Sequence, residues 1–281
     1  MIVPRLLVLS TLAALGACST AGRQAQPGAA VPSAAAPGFS APSRPERIRT
    51  ALAQNVRVVV ADAGKAVRSA SGVAIGTGYV AEGAITYVMT NAHVVAPQQG
   101  ENPRFYVLLD LPTGDVQEFH AKLEAQGTVP ENDLAVLSVL GISIAPARLA
   151  EDVDLLVGDD VFVVAAPYGR SLSVSGGLVS QIDYADGVKR VPAMIKTDAA
   201  IGFGASGGGI FSAKTGELLG IVEGYRTAKV TIPVEPESVS FDVPMPGETF
   251  AAPTAKIRRF LEAKGLGKVL GVAPIKTASA G

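Results

Sequence analysis

Three residue types that can act together in hydrolysis are spread along this chain of 281 residues. His93 follows a β-branched run in "YVMTNAHVV", Asp133 precedes an apolar run in "PENDLAVLSVL", and Ser206 lies among five glycines in "GFGASGGGIF". A serine hydroxyl is a poor nucleophile until a neighbouring base takes its proton, and an imidazole oriented by a carboxylate is such a base. The order His, Asp, Ser is one of several found among unrelated triad enzymes. These residues therefore suggest acyl transfer to a serine.

Each of these residues also has a structural explanation when it is taken alone. Gly and Ser are ordinary turn residues, an aspartate often precedes a strand, and a histidine is more often structural than catalytic. The second histidine, His120, lies in the polar stretch "QEFHAK". The glycines still need a reason, because glycine loses the most conformational freedom on folding and buries almost nothing. A backbone platform whose N–H groups face a developing oxyanion would supply that reason.

Short, β-branched segments must position these residues. In the first half they are Val56–Ala61, Ser71–Ala81, Ile85–Thr90, Arg104–Leu109 and Leu134–Leu140. In the second half they are Asp160–Pro167, Gly176–Tyr184, Ala193–Ala200, Gly209–Tyr225 and Val239–Met245. Closely spaced strands with turn signals between them predict an all-β sandwich or barrel. Helices are predicted at Glu46–Gln54 and Pro253–Gly267, the second as an amphipathic helix that docks on the barrel.

The motifs, taken in order, resemble the protease domain of HtrA/Deg-type, trypsin-like serine peptidases. They read "GTGYV", "TNAHVV", "NDLAVL", "GDDVFVVAAPYG", "GGLVSQI" and "TDAAIGFGASGGGIF", and the resemblance runs from about Ser71 to Leu261. It implies an all-β fold of two packed six-stranded β-barrels, with the active cleft between them and a C-terminal helix. The first barrel is expected at about 55–150, the second at about 155–250 and the helix at about 253–266.

The resemblance also implies a role for each site residue. His93 would be the general base, Asp133 would orient it, and Ser206 would be the nucleophile. The N–H groups of Gly204 and Ser206 would form the oxyanion hole. Imidazole suits the task because its ordinary pKa of about 6.5 lets it accept and return a proton near neutral pH.

Substrate contacts follow from the same resemblance. Ala200 would lie at the base of the primary pocket, where no carboxylate is present to pair with Lys or Arg, so cleavage after small or medium apolar residues is expected. The stretch Val222, Glu223 and Gly224 would pair with an extended substrate backbone. Ala205 stands where the family usually has Asn. It cannot form an ion pair with a freed N-terminus, and it leaves the loop with one fewer side-chain anchor.

The N-terminus resembles a bacterial lipoprotein signal. Residues 1–17 carry one basic residue and an apolar run too short to span a membrane, and Cys18, the chain's one cysteine, ends the lipobox-like "LGAC". The resemblance implies acylation of Cys18 and attachment to the outer membrane's periplasmic leaflet; the alternative is an ordinary signal peptide with a chance cysteine. Residues 18–45, rich in Ala, Pro, Ser and Gly, are expected to be a disordered tether before a domain at 46–267 and a flexible tail at 268–281.

Composition and motifs limit the classes of partner and cofactor that are expected. The formal net charge is −1 and no basic face stands out, so a nucleic acid is not expected as a partner. No cofactor or metal motif is present, and a metal-independent reaction is expected. The family usually carries a PDZ domain after the protease domain, and this sequence shows none, so regulation is expected from loops, a second copy, a regulatory partner or the membrane tether.

Three functions fit these observations, and the first two are of different class. The first is an exported, lipid-anchored serine endopeptidase that acts on polypeptides. The second is a catalytically weak or inactive binding or scaffold lipoprotein with the same fold. A hydrolase that uses the same triad on a different bond is a third, because a fold does not determine the substrate.

Overall fold

Two closed β-barrels make up the folded part of the chain. The computed structural model describes residues 41–271 except 100, 112, 152–154, 187–189 and 235–236. The first barrel contains β1 Asn55–Asp62, β2 Lys65–Val80, β3 Gly83–Thr90, β4 Arg104–Asp110, β5 Val116–Gln126 and β6 Ala135–Leu140, in the order β1-β2-β3-β6-β5-β4. Its interior is filled mainly by valine and alanine side chains from alternate strand positions.

The second barrel repeats this architecture. It contains β7 Asp160–Ala165, β8 Ser173–Asp186, β9 Val191–Thr197, β10 Gly209–Ser212, β11 Leu218–Val234 and β12 Glu237–Pro253, in the order β10-β11-β12-β9-β8-β7. All the pairings in both barrels are antiparallel. The all-β class, the two six-stranded barrels and the C-terminal helix predicted from the sequence are confirmed.

A third apolar cluster joins the barrels. It combines Val73 and Met89 of the first barrel with the stacked rings of Phe162 and Phe211 of the second, whose centroids are 5.5 Å apart. The helices are α1 Arg44–Gln54, α2 Ala92–Val95 and α3 Thr254–Ala263, with single 3₁₀ turns at Pro167–Gly169 and Gly267–Gly271. Helix α3 buries Ile257 and Leu261 in this cluster. The shared core fixes one barrel against the other.

Two strand predictions were wrong in detail. Strand β5 was missed, because most of its side chains are exposed and residues such as Glu, Lys and Ala do not favour strands; pairing with β4 and β6 overrides that preference. The run Gly209–Tyr225 is not one strand but two, β10 and the start of β11, and the turn between them contains Gly216 at φ +78°.

None of the described helices is long and apolar enough to cross a membrane. The predicted signal peptide (1–17) and residues 18–40 of the predicted tether (18–45), with Cys18 among them, lie outside the described residues, as do residues 272–281 of the predicted tail (268–281). Residues 268–271 belong to the second 3₁₀ turn, where Val269 is buried in the third apolar cluster.

Candidate active site

Strand register brings His93 and Asp133 together. The last pair between β3 and β6 is Thr90 with Ala135, so the residues just after β3 and just before β6 meet at one end of the first barrel. There the ring Nδ1 of His93 lies 2.6 Å from Oδ2 of Asp133, and the backbone N–H of His93 donates to Oδ1 at 2.8 Å. One carboxylate therefore holds both the ring and the backbone of the histidine.

The carboxylate is buried and the imidazole is half open. Asp133 is 7% exposed, whereas the His93 side chain is 40% exposed. The buried Asn91 amide donates to the Asp133 carbonyl at 2.7 Å and fixes the backbone at that point. Because Nδ1 faces the carboxylate, it carries the ring proton in the neutral form, and Nε2 is left as the acceptor. This is the arrangement of a general base aimed away from its orienting carboxylate.

The Ser206 loop presents two free backbone donors. Within the part of the chain that the structure describes, the N–H groups of Gly204 and Ser206 donate no hydrogen bond. The Ala205 N–H donates to the Gly202 carbonyl at 3.1 Å, and Gly204 has φ +87°. These are the features of a type II turn, whose third residue needs a positive φ. The loop can therefore offer two N–H groups to an oxyanion.

The peptide between Phe203 and Gly204 is held in one orientation. Its carbonyl accepts a hydrogen bond from the Tyr168 N–H in the connection between β7 and β8. Because the carbonyl and N–H of a trans peptide point in opposite directions, this bond turns the Gly204 N–H away from Tyr168. A Cβ on Gly204 would lie 2.9 Å from the Ala166 carbonyl oxygen, so no other residue fits without a shift.

Ser71 on β2 of the first barrel holds this loop of the second barrel. Its hydroxyl donates to the Gly204 carbonyl at 2.8 Å and accepts from the Ala166 N–H at 2.9 Å. Its backbone N–H donates to the Ser206 carbonyl at 2.8 Å, and its carbonyl accepts from the Thr90 hydroxyl at 2.8 Å. Ser71 is fully buried, so each of these bonds is shielded from water.

Sequence reasoning missed Ser71 as a positioning residue. A signal was present, because Ser71 is a polar residue at the start of a strand whose next residues are apolar or glycine. Buried hydroxyls are nearly always hydrogen-bonded, so a serine in such a strand needs partners. The identity of those partners could not be predicted, because they lie 95 and 133 residues further along the chain.

Ser206 and His93 are not joined in this structure. Among the described residues no hydrogen bond connects the Ser206 hydroxyl to the His93 ring. The segments that carry them are nonetheless linked through Ser71: its N–H donates to the Ser206 carbonyl, and its carbonyl accepts from the side-chain hydroxyl of Thr90, three residues before His93. Catalytic hydrogen bonds are often long without substrate and tighten in the substrate complex.

An apolar pocket of about 150 Å³ contains Ala200. Its lining residues are Ala200, Ile201, Tyr225, Pro244, Met245, Pro246, Gly247 and Thr249. None of these described lining residues carries a carboxylate or a cation. Burial raises the pKa of Tyr225, so its phenol is neutral near pH 7. A cavity of roughly this size holds a benzene-sized group, which matches a medium apolar side chain.

A family model described as "Trypsin-like peptidase domain" matches residues 70–221, more than half of the chain. The chain belongs to the trypsin-like peptidase domain family. The matched region contains His93, Asp133, Ser206 and Ser71. Outside it lie α1, β1, most of β11, all of β12 and α3.

Curated relatives of this trypsin-like peptidase domain include a "Probable periplasmic serine endoprotease DegP-like" of Ectopseudomonas mendocina, 37% identical over 152 residues. They also include the "Periplasmic serine endoprotease DegP" of Salmonella typhimurium, 32% identical over 150 residues. The matches cover 52% and 53% of this chain but only 28% and 29% of the relatives. The resemblance to HtrA/Deg-type peptidases expected from the sequence is confirmed.

Solved structures agree on the fold. A serine endoprotease from Yersinia pestis matches with a TM-score of 0.55 and 24% identity, over 80% of this chain and 67% of that one. Deg5 matches with a TM-score of 0.54 and 23% identity, over 76% of this chain and 89% of that one.

Ala205 does not leave the loop of this trypsin-like peptidase domain unanchored. Its methyl group is fully buried in the apolar interior of the second barrel. The bonds from Ser71 and Tyr168 hold the residues on either side of it. Contacts from other segments thus supply the anchor expected to be missing.

The residues predicted to pair with a substrate backbone make different contacts in the structure. Val222 is buried, and its N–H and carbonyl bond to Gly208 and Gly207, so its backbone is occupied within the domain. Glu223 follows at a bulge in β11 and pairs with Lys256 of α3 at 2.6 Å. Burial raises the pKa of Glu223 although Lys256 acts to lower it. Pairing with an extended substrate would therefore fall to residues after Val222.

His120 takes no part in the site. It is exposed on β5, and its ring packs edge-on against Tyr106 with the centroids 5.1 Å apart. No group of three or more His, Cys, Asp or Glu side chains in the described residues lies close enough together to hold a metal ion.

Proposed function

We propose that this protein is a serine endopeptidase that hydrolyses peptide bonds of polypeptides at the periplasmic side of a bacterial envelope. The observation that carries the proposal is the pairing of His93 with buried Asp133 together with two free N–H groups in the Ser206 loop. The periplasmic relatives support the location. Acylation of Cys18 would attach the protein to the membrane, because two or more acyl chains give stable anchoring.

In the first step the Ser206 hydroxyl attacks the scissile carbonyl, and His93 Nε2 takes its proton. Asp133 stabilises the resulting imidazolium and keeps the ring oriented. The negative charge on the carbonyl oxygen is met by the N–H groups of Gly204 and Ser206, and the loss of one such donor typically costs about 2.7–4 kcal/mol. His93 then protonates the leaving amine, and an acyl-enzyme forms on Ser206.

In the second step water replaces the leaving amine. His93 removes a proton from the water, which attacks the ester carbonyl, and the oxyanion again bonds to Gly204 and Ser206. Collapse returns the proton to the Ser206 oxygen and releases the new carboxyl end. Since both steps use the same groups, one geometry serves the whole reaction.

The pocket containing Ala200 sets the preference for the residue before the scissile bond. Its apolar lining and its volume of about 150 Å³ favour small or medium apolar side chains and disfavour Lys or Arg, whose charge would be desolvated without a partner. Peptides with Ala, Val or Leu at that position should be cleaved faster than those with Lys or Arg.

The test is cleavage of an unfolded casein-type protein by the full chain beside Ser206→Ala. The wild type is expected to produce fragments ending in small or medium apolar residues, and the variant to lose activity by roughly 10⁴-fold or more. Equal inactivity of the two folded proteins would overturn the proposal in favour of the binding or scaffold protein.

A further inference from the structure

Strands β11 and β12 extend beyond the second barrel as a two-stranded ribbon. Their pairing continues from Thr227 with Pro244 to Val234 with Glu237. Contact of β12 with β9 is confined to Thr249–Ala251, so in the described residues no third strand borders the ribbon. Almost every ribbon residue is exposed.

The ribbon is apolar on one face and mainly polar on the other. Residues opposite each other in an antiparallel pair share a face, and successive residues alternate. The pairs Val230 with Phe241 and Ile232 with Val239 lie on one face, together with Val243. Lys229 with Asp242 and Thr231 with Ser240 lie on the other, where the two hydroxyls hydrogen-bond at 2.8 Å. We call the seven large apolar side chains of the first face the apolar ribbon face: Val230, Ile232, Val234, Val239, Phe241, Val243 and Met245. Ala228 and Glu237 lie on the same side of the ribbon, opposite Val243 and Val234.

All seven side chains of the apolar ribbon face are between 37% and 55% exposed. A two-stranded ribbon is marginally stable by itself, and contiguous exposed apolar patches mark sites of interaction. The alternation of the two faces concentrates apolar side chains where no described part of the domain covers them. The face is therefore suited to bind an apolar partner.

The apolar ribbon face continues into the substrate pocket. Met245 belongs to the face and also lines the pocket that contains Ala200. The neighbouring Pro244 and Tyr225, at the base of the two strands, line the same pocket. A polypeptide with one side chain in the pocket would thus have another part of its length beside the ribbon.

We propose that the apolar ribbon face is an exosite that binds an exposed apolar segment of an unfolded polypeptide substrate. The inference rests on the proposed endopeptidase function. A substrate already held at the cleft needs only a weak second contact, because attachment raises the local concentration of its other segments. The exosite would select unfolded chains over folded proteins, whose apolar side chains are buried.

A second copy of the chain is a weaker candidate for the same face. Seven half-exposed apolar side chains present on the order of 500 Å², so two copies packed face to face would bury about 1,000 Å² in total. That area is at the lower limit for a stable interface. Continuity with the pocket instead favours the substrate.

The test uses the full chain with three substitutions, Val230→Thr, Ile232→Thr and Phe241→Thr. Its kinetics are compared with those of the wild type on a long and on a short substrate. Threonine keeps a high strand propensity, so the ribbon should still form. For a long unfolded casein-type protein we expect KM to rise roughly tenfold with kcat unchanged. For a peptide of about eight residues around one cleavage site, kcat/KM should stay within about twofold.

A matched control changes the opposite face of the ribbon. The triple variant Lys229→Thr, Thr231→Val and Ser240→Thr should cleave both substrates with the kinetic constants of the wild type. Unchanged cleavage of the long protein by the apolar-face variant would overturn the exosite. A loss that coincides with dissociation of a dimer, measured by light scattering, would also overturn it and assign the face to a second copy. If the wild type failed to cleave even the short peptide, the endopeptidase proposal itself would fail, which this design separates from failure of the exosite.

Discussion

The two barrels contribute to the site in different ways. The first barrel supplies side chains, His93 and Asp133, which strand register alone brings to hydrogen-bonding distance. The second contributes one side chain, the Ser206 hydroxyl, on an irregular, glycine-rich loop, and the proposed oxyanion hole would consist of backbone N–H groups of that loop. The hydrogen bonds that hold His93 and Asp133 come from within the first barrel. The second depends on Ser71, which reaches across from the first barrel.

This difference indicates which substitutions should disturb each half of the site. A side chain on a regular strand end is fixed by many pairings, whereas a loop peptide is fixed by a few hydrogen bonds to its carbonyls. Changes in the loop or in its few partners should therefore reduce kcat more than they reduce stability. Changes elsewhere in the core should do the reverse.

Among changes outside His93, Asp133 and Ser206, the largest effect is expected from Gly204→Ala. Alanine is strained at φ +87°, and its Cβ would lie 2.9 Å from the Ala166 carbonyl oxygen and 3.1 Å from the Tyr168 nitrogen. The peptide should turn and remove one oxyanion donor, which lowers kcat by roughly 10²–10³-fold. Steady-state kinetics on a short peptide measure this.

Gly265→Ala is the control for backbone strain. Gly265 also has a positive φ, +71°, but an added Cβ would meet no described atom within 4 Å, and the residue follows α3. It should lower the melting temperature without changing kcat. If both variants lost activity equally, the Gly204 N–H would not be a specific oxyanion donor.

A smaller effect is expected from Ser71→Ala. The change removes the hydroxyl that bonds Gly204 and Ala166, and leaves both backbone groups without that partner. The free energy of unfolding should fall by about 1–3 kcal/mol, and kcat should fall roughly 10–100-fold with a smaller change in KM.

Thr86→Val separates positioning from stability. The buried Thr86 hydroxyl also donates to one carbonyl, that of Ile142, and accepts from one N–H, that of Ile144, but within the first barrel alone. Thr86→Val should lower the free energy of unfolding by about as much as Ser71→Ala does and leave kcat unchanged. A kcat loss in both variants, or in neither, would contradict the role assigned to Ser71.

The smallest effect on activity is expected from Lys256→Met. The change leaves the Glu223 carboxylate, whose side chain is only 12% exposed, without its ion-pair partner, and the free energy of unfolding should fall by about 3 kcal/mol near pH 7. Burial raises the pKa of Glu223 above its ordinary value of 4.5, so the penalty is present where the carboxylate is charged and shrinks as the pH falls towards about 4. kcat should change by less than about threefold.

The free energy of unfolding is measured by urea denaturation at pH 7 and at about pH 4. The Lys256→Met variant is compared with the double variant Lys256→Met with Glu223→Gln. The double variant should recover part of the lost stability at pH 7, because it removes the buried charge. Equal destabilisation at the two pH values would show that lost packing, not the unpaired carboxylate, is the cause.

Much of the first barrel's contribution could be predicted from the sequence. The motifs around His93 and Asp133 lie directly beside strong strand patterns, and the resemblance to trypsin-like peptidases implies that the two side chains meet. The Ser71 contacts could not be predicted, since hydrogen bonds between the barrels depend on how the two interiors pack. Strand β5 was not predicted, and the strands of the ribbon were predicted only in part. Both are exposed, and exposed strands carry a weak periodic signal.

The most direct test is labelling of the folded full chain with a serine-directed phosphonate, followed by mapping of the modified peptide by mass spectrometry. We expect one adduct, on Ser206, and labelling at least about 100-fold slower in His93→Ala. Absence of an adduct on the folded protein, or an adduct on a different residue, would contradict the assignment of Ser206 as a nucleophile activated across the two barrels.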